Sequence, residues 1–129
     1  MNACTRAIYR IEAEQDGPAL ARAIVDHELG AVVPRRMLEE LELMVSELVT
    51  NGIKFGAQDR NEPVTLDLRI DDHVRCGVTS RGVPFRPPQR PDPERWGLKL
   101  VANLADRWGV QRLDERTKVW FETASPRAA

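Results

Sequence analysis

The sequence predicts an α+β fold, a two-layer α/β sandwich in which a mixed, mostly antiparallel sheet is covered by helices on one face. Three observations carry that expectation. Val64, Leu66, Leu68 and Ile70 alternate with polar residues, and Val74, Cys76 and Val78 resume the alternation after Asp71-Asp72, so this stretch reads as a hairpin with one buried face. Met37, Leu41, Met44, Leu48 and Val49 recur at helical spacing, which gives a long helix with one apolar stripe. Strands with one apolar face and helices with one apolar stripe hide both surfaces by packing layer against layer.

The remaining elements follow along the chain. Residues 7–13 alternate as a strand, and Asp16-Gly17-Pro18 then signals a helix start with Pro near the first turn. That helix runs over 18–29 until Gly30 stops it, and Pro34 opens the longer helix, which Gly56 ends. After the hairpin, Pro84, Pro87, Pro88, Pro91 and Pro93 forbid any regular element, so 81–95 is a loop. Residues 96–105 form a short helix with Leu98, Val101, Ala102 and Ala105 inward. Trp108, Val110, Val119 and Phe121 close the fold as a hairpin around Asp114-Glu115, and 124–129 is a frayed tail.

A chain of 129 residues is expected to form one domain with a core of its own. Charged residues at 30% and hydrophobic residues at 42% are globular proportions, and a net charge of −1 leaves no electrostatic footprint for nucleic acid or an anionic membrane. No signal-peptide core and no apolar run of roughly 20 residues is present, so the expected location is the cytoplasm. Cys4 and Cys76 lack a second Cys or a His at metal-ligand spacing, and Cys76 reads as a small buried strand residue. His27 and His73 are likewise isolated.

The chemistry concentrates on the long helix. Glu47 and Asn51 lie four residues apart and therefore share one face amid Met44, Val45, Leu48 and Val49. A carboxylate and an amide in apolar surroundings cost several kcal/mol, on the order of a lost hydrogen bond or more each, unless something pairs with them. A Mg-bound phosphate and a hydroxyl or water are suitable partners.

This helix, with Trp96-Gly97-Leu98-Lys99-Leu100-Val101-Ala102-Asn103-Leu104-Ala105-Asp106-Arg107-Trp108-Gly109-Val110 and Lys118-Val119-Trp120-Phe121-Glu122, resembles the small bacterial anti-sigma-factor-type serine/threonine kinases of the histidine-kinase/gyrase/Hsp90-like ATPase superfamily. The resemblance runs from about residue 8 to about residue 122 and implies the histidine-kinase-like ATPase fold of Bergerat type. It implies ATP and Mg as cofactors, with Glu47 as general base, Asn51 on the metal, and Lys54 close enough to neutralise phosphate. Residues 81–95 stand where that family has its ATP lid.

The other motifs depart from the family pattern. Ser80-Arg81-Gly82-Val83-Pro84 occupies the place of Asp-x-Gly-x-Gly, so the adenine-binding Asp is Ser80 and only Gly82 remains of the glycines. Arg95-Trp96-Gly97-Leu98 stands for Gly-x-Gly-Leu, keeping Gly97 and Leu98 and placing Arg95 first. Thr117-Lys118-Val119-Trp120 stands for Lys-Thr-Val-Trp, which puts Lys118 at the Thr position near adenine. The resemblance thus implies a regulatory domain that sequesters a sigma factor or binds an anti-anti-sigma protein, with a degenerate nucleotide site and a homodimeric state. The alternative is an active kinase that phosphorylates the antagonist.

A reading from another class treats 101–110 as the first half of a helix-turn-helix DNA binder turning at Gly109. Against it, 111–119 is charged and ends like a strand, and the chain has no basic surplus.

Overall fold

The alternating segments pair into a five-stranded sheet of order β1-β2-β3-β5-β4 in a computed structural model that describes residues 5–56, 62–81 and 98–124, the side chains of 54–56 excepted. The strands are β1 (Thr5–Ile11), β2 (Val64–Ile70), β3 (His73–Arg81), β4 (Arg107–Leu113) and β5 (Arg116–Ala124). Three helices are described, α1 (Gly17–Leu29), α2 (Arg35–Gly56) and α3 (Lys99–Leu104). The tail beyond 124 and all of the proposed lid after Arg81 lie outside the described residues.

Three expectations need correction. The first strand spans Thr5–Ile11 rather than 7–13, because pairing with β2 runs from Thr5 opposite Ile70 to Ile11 opposite Val64. The sheet is not mixed among the described residues, since all four neighbouring pairs are antiparallel. A single crossover helix delivers a parallel strand, whereas α1 and α2 in succession return β2 antiparallel to β1. The third helix begins at Lys99, with Leu98 already fully buried before it rather than on its inner stripe. The helix-turn-helix alternative fails here as well, because Arg107–Leu113 is strand.

α1 starts after Asp16 with Pro18 in its first turn, where a missing N–H costs nothing. Its stop is not a left-handed glycine: Gly30 keeps a right-handed φ of −58°, and the chain turns away as Val32 and Val33 donate to the Leu29 carbonyl. α2 buries Leu41, Met44, Val45, Leu48 and Val49 at 1% exposure or less. At about 1.5–3 kcal/mol per large apolar side chain, that stripe is what holds the helix to the sheet. It meets Val64, Leu66 and Leu68 of β2, Val74, Cys76 and Val78 of β3, and Val119 and Phe121 of β5 in one core.

Gly52 sets how closely α2 approaches. A Cβ there would stand 3.2 Å from Val78 Cγ1, 3.3 Å from Val64 Cγ1 and 3.8 Å from Ser80 Cβ, so the helix backbone lies almost on the strands at this point. Tyr9 Oη donates to Glu28 and ties β1 to α1. No described helix is long and apolar enough to cross a membrane.

The helices cover one face of the sheet, and the alternation sends the odd members of β3 and the even members of β5 to the other. Arg75, Gly77, Thr79 and Arg81 point there from β3, and Arg116, Lys118, Trp120 and Glu122 from β5. β1 adds Arg6, Ile8 and Arg10, β2 adds Thr65, Asp67 and Arg69, and β4 adds Arg107, Gly109 and Gln111.

Candidate functional site

Glu47 and Asn51 project from the C-terminal half of α2, and both carry buried oxygens with no hydrogen-bond partner among the described residues. Asn51 is 7% exposed, and its Oδ1 is unpaired; Glu47 Oε1 is unpaired as well. The two hydroxyls of the same stretch are satisfied locally, with Ser46 Oγ donating to the Leu43 carbonyl at 3.0 Å and Thr50 Oγ1 to the Ser46 carbonyl at 2.8 Å. Within α2, the buried oxygens left without a partner among the described residues are those of the pair that the helical spacing put on one face.

Burial pushes the Glu47 carboxyl above its ordinary value, and the backbone N–H groups of Val101 and Leu100 in the first turn of α3 pull it down without cancelling the effect. α3 therefore stands beside the carboxylate. Its position depends on Leu98 and Val101, both fully buried.

Beneath the same end of α2 lie two hydroxyls. Ser80, 8% exposed, sits on the inner face of β3 below Gly52, the neighbour of Asn51. Its cross-strand partner on β5 is Thr117, 5% exposed, whose Oγ1 is buried and unpaired among the described residues. Thr117 is the residue the sequence reading missed. The signal was present: Val119 and Phe121 face inward, so the residue two before Val119 must do so too.

Lys118, expected at this place, is on the opposite face of the sheet. Strand alternation turns it outward, where its stem crosses Gly77 and its Nζ lies 3.7 Å from Asp67 Oδ2. A Cβ on Gly77 would come within 2.6 Å of Lys118 Cε, so the glycine makes room for the lysine stem. The structure brings together Glu47, Asn51 and Ser80 on the helix-covered side, adds Thr117, and separates Lys118 from them. Leu98 is a core residue at the start of α3. Gly82, Arg95, Gly97 and the Lys54 side chain lie outside the described residues.

A fourth unpaired buried oxygen, Thr123 Oγ1, belongs elsewhere: Thr123 lines a cleft with Pro34, Met37 and Leu41 at the beginning of α2. Neither histidine joins the site, since His73 Nδ1 lies 3.5 Å from Glu122 on the uncovered face and His27 is exposed on α1. Cys76 is buried in the core, and its thiol is pushed strongly upward by desolvation, with the nearby Asp67 charge adding to it, which leaves it inert as a nucleophile.

Chemically the arrangement offers a hard oxygen ligand at Asn51, a proton acceptor at Glu47 and two neutral hydroxyls at the strand ends. No cluster of three or more His, Cys, Asp or Glu forms a metal site among the described residues. Asn51 would thus be one protein ligand to a hard cation whose other positions fall to phosphate and water oxygens, the usual habit of Mg²⁺ with nucleotides.

Comparison with known proteins gives the same frame. A family model described as the histidine kinase-like ATPase domain matches residues 3–123. No curated protein matches in sequence. Among solved structures, the RsbU and RsbW domains of Rv1364c from Mycobacterium tuberculosis superpose with a TM-score of 0.75 at 15% identity, over 93% of this chain and 32% of that one. At such identity the likeness is one of fold, and this chain spans about a third of the length of that chain.

Proposed function

We propose, from the premise that the chain belongs to the histidine kinase-like ATPase domain family, that it is a nucleotide-binding regulatory domain of the anti-sigma type acting in the cytoplasm. Its targets would be a sigma factor or an anti-anti-sigma-type protein, bound by a homodimer. The fold likeness to a structure containing an RsbW domain supports that direction. The observation that carries the nucleotide site is the pair of buried oxygens at Glu47 and Asn51, unpaired among the described residues, at the end of α2 that lies over Ser80 and its strand neighbour Thr117. Unmet acceptors at that density cost stability unless a ligand engages them.

Bound Mg–ATP would supply a transferable phosphoryl group with its charge offset by the metal. Asn51 would hold the cation through Oδ1, and Glu47 would accept a proton from a hydroxyl brought against it. Ser80 and Thr117 present neutral hydroxyls to a base edge, and such bonds have roughly half the strength of those to a carboxylate. Adenine is therefore held less firmly than by a site with Asp at position 80, which supports regulation by partner sequestration. The raised Glu47 favours a second reading, an active serine/threonine kinase, because a carboxyl tuned upward is a better proton acceptor.

Calorimetric titration of the folded chain with ATP and Mg, with ADP for comparison, tests both. Binding in the micromolar to submillimolar range, lost in Asn51→Ala, is the expected result; no heat at millimolar nucleotide sinks the proposal. If phosphate transfer accompanies binding, Glu47→Ala should abolish it with affinity largely retained, and unchanged transfer removes Glu47 from the mechanism.

A further inference from the structure

The face of the sheet that no described helix covers is far more basic than the chain as a whole. Eight of the 19 lysines and arginines project from it against two of the 20 acids, Asp67 and Glu122, while the entire chain has a net charge of −1. The acidic surplus therefore resides in the rest of the chain. Composition hides this asymmetry, because only the strand register separates the two faces.

At the centre stands Trp120. Both of its cross-strand neighbours are glycines, Gly77 on β3 and Gly109 on β4. A Cβ on Gly109 would meet the indole ring at 3.0–3.1 Å, so the ring lies down across the β4 backbone. The Arg75 guanidinium sits over it, 4.4 Å from the ring centroid, and Arg107 is 6.0 Å away. Arg107 also lies 4.0 Å from Glu122 Oε2, whereas stacking fixes the Arg75 guanidinium plane, a geometry that suits bidentate capture of a carboxylate by its N–H edge. Lys118 is drawn across Gly77 on the other side of the same row.

We infer that this face is a docking surface for an acidic segment of a partner protein, independent of nucleotide. Its size fits: five strands about 4.8 Å apart and some seven residues long at about 3.3 Å each give a flat footprint of roughly 500 Å², suited to a transient protein contact. The boundary selects against an extended polyanion. Acids in the flanking turns pair with the outer arginines, Glu12 with Arg10 at 3.5 Å, Asp71 with Arg69 at 3.2 Å and Glu62 with Arg81 at 3.2 Å. A nucleic acid running off the patch would meet these carboxylates and the acidic remainder of the chain. A second copy placed face to face would set the Arg75 and Arg107 groups of both copies against each other.

The test uses the isotope-labelled full chain, without nucleotide, titrated with a short peptide alternating glutamate and valine. A thymidine oligonucleotide and vesicles of mixed phosphatidylserine and phosphatidylcholine serve as rival probes. Expected are saturable NMR shifts of the Trp120 indole N–H and of open-face strand amides, weakened by salt. The double variant Arg75→Glu/Lys118→Glu should weaken peptide binding at least about tenfold, equivalent to about 1.4 kcal/mol. Arg35→Glu, on an exposed site at the start of α2, should not. Should the double variant fail to fold, Arg75→Gln alone should still weaken binding about threefold or more. Absent shifts, shifts confined to the helical layer or equal loss in Arg35→Glu would overturn the inference. So would tighter binding of the oligonucleotide or the vesicles, or self-association through this face.

Discussion

Replacing Thr117 by valine should raise the stability of the ligand-free protein and lower its affinity for nucleotide. Thr117 is 5% exposed and its Oγ1 has no hydrogen-bond partner among the described residues, so folding strips water from the hydroxyl and these residues return nothing. An unsatisfied buried group of this kind costs about 1–3 kcal/mol. Valine keeps the β-branched shape and the strand preference, and it occupies the same space between Val119 and the β3 neighbour Ser80. Taking the lower end of that range, the gain is about 1 kcal/mol, or roughly 3–5 °C in Tm for a chain of this size. The opposite sign appears on binding, because a ligand that satisfies the hydroxyl loses one neutral hydrogen bond, about 0.5–1.5 kcal/mol or roughly two- to tenfold in Kd.

Circular-dichroism melting and calorimetry with Mg–ATP read the two effects separately. Lys118→Ala is the control, since its ammonium lies on the other face, 3.7 Å from Asp67, in a surface pair worth about 0–1 kcal/mol. Its nucleotide affinity should stay within about twofold of the parent, on the view that a group behind the sheet touches no ligand in front of it. A lower Tm for Thr117→Val would mean that the hydroxyl has a partner in the folded chain. Loss of affinity in Lys118→Ala equal to that in Thr117→Val would refute the assignment of faces.

Glu47→Gln tests the burial of the carboxyl through pH. A folded-state value above the unfolded one means that the native protein holds its proton longer, so the charged form is the one folding disfavours. The penalty is absent below the usual carboxylate range, grows as pH rises through it, and is complete above the raised folded value. The stability difference between Glu47→Gln and the parent, from urea midpoints, should therefore increase with pH; a flat difference would discard the desolvation argument. Gly52→Val should push α2 off Val64 and Val78, which are at most 2% exposed and have nowhere to retreat. Overpacking at such a contact costs about 1–3 kcal/mol, and because Asn51 moves with the helix, nucleotide affinity should fall as well. A variant of unchanged stability would show that the helix can lift freely.

The layers were legible because each element repeats its own signal. Leu41, Met44, Leu48 and Val49 announce a buried stripe several times over, and Val64 to Ile70 announces a buried face four times. A boundary lost or gained leaves such patterns intact, which is why the strand starting at Thr5 and the helix starting at Lys99 are shifts of extent and not of kind. Sheet direction was less legible. It depends on how many helices lie between two strands in space, a property of the path and not of any local run. The basic face was hidden for a related reason: its arginines are scattered across five strands and become neighbours only through cross-strand register.

The site shows where local reading breaks down, and why the break is sharper on a strand than on a helix. Glu47 and Asn51 stand on one face whichever turn of the helix is taken as first, because spacing alone decides it. On β5 a one-residue slip inverts everything. Matching the spelling of a motif assigned the pocket position to Lys118, whereas the alternation of Val119, Phe121 and Thr123, all buried, requires Thr117. The two criteria disagree by one residue and therefore by the full thickness of the sheet, and packing decides between them: a lysine turned inward would bury an unpaired ammonium, at a cost no core of this size can absorb. The perturbed Glu47 was beyond any such rule, because its neighbours Leu100 and Val101 lie more than fifty residues further along the chain and reach it only once α3 has packed. Chemistry carried by one element is readable from its period, while chemistry assembled between elements depends on faces and contacts that the fold alone supplies.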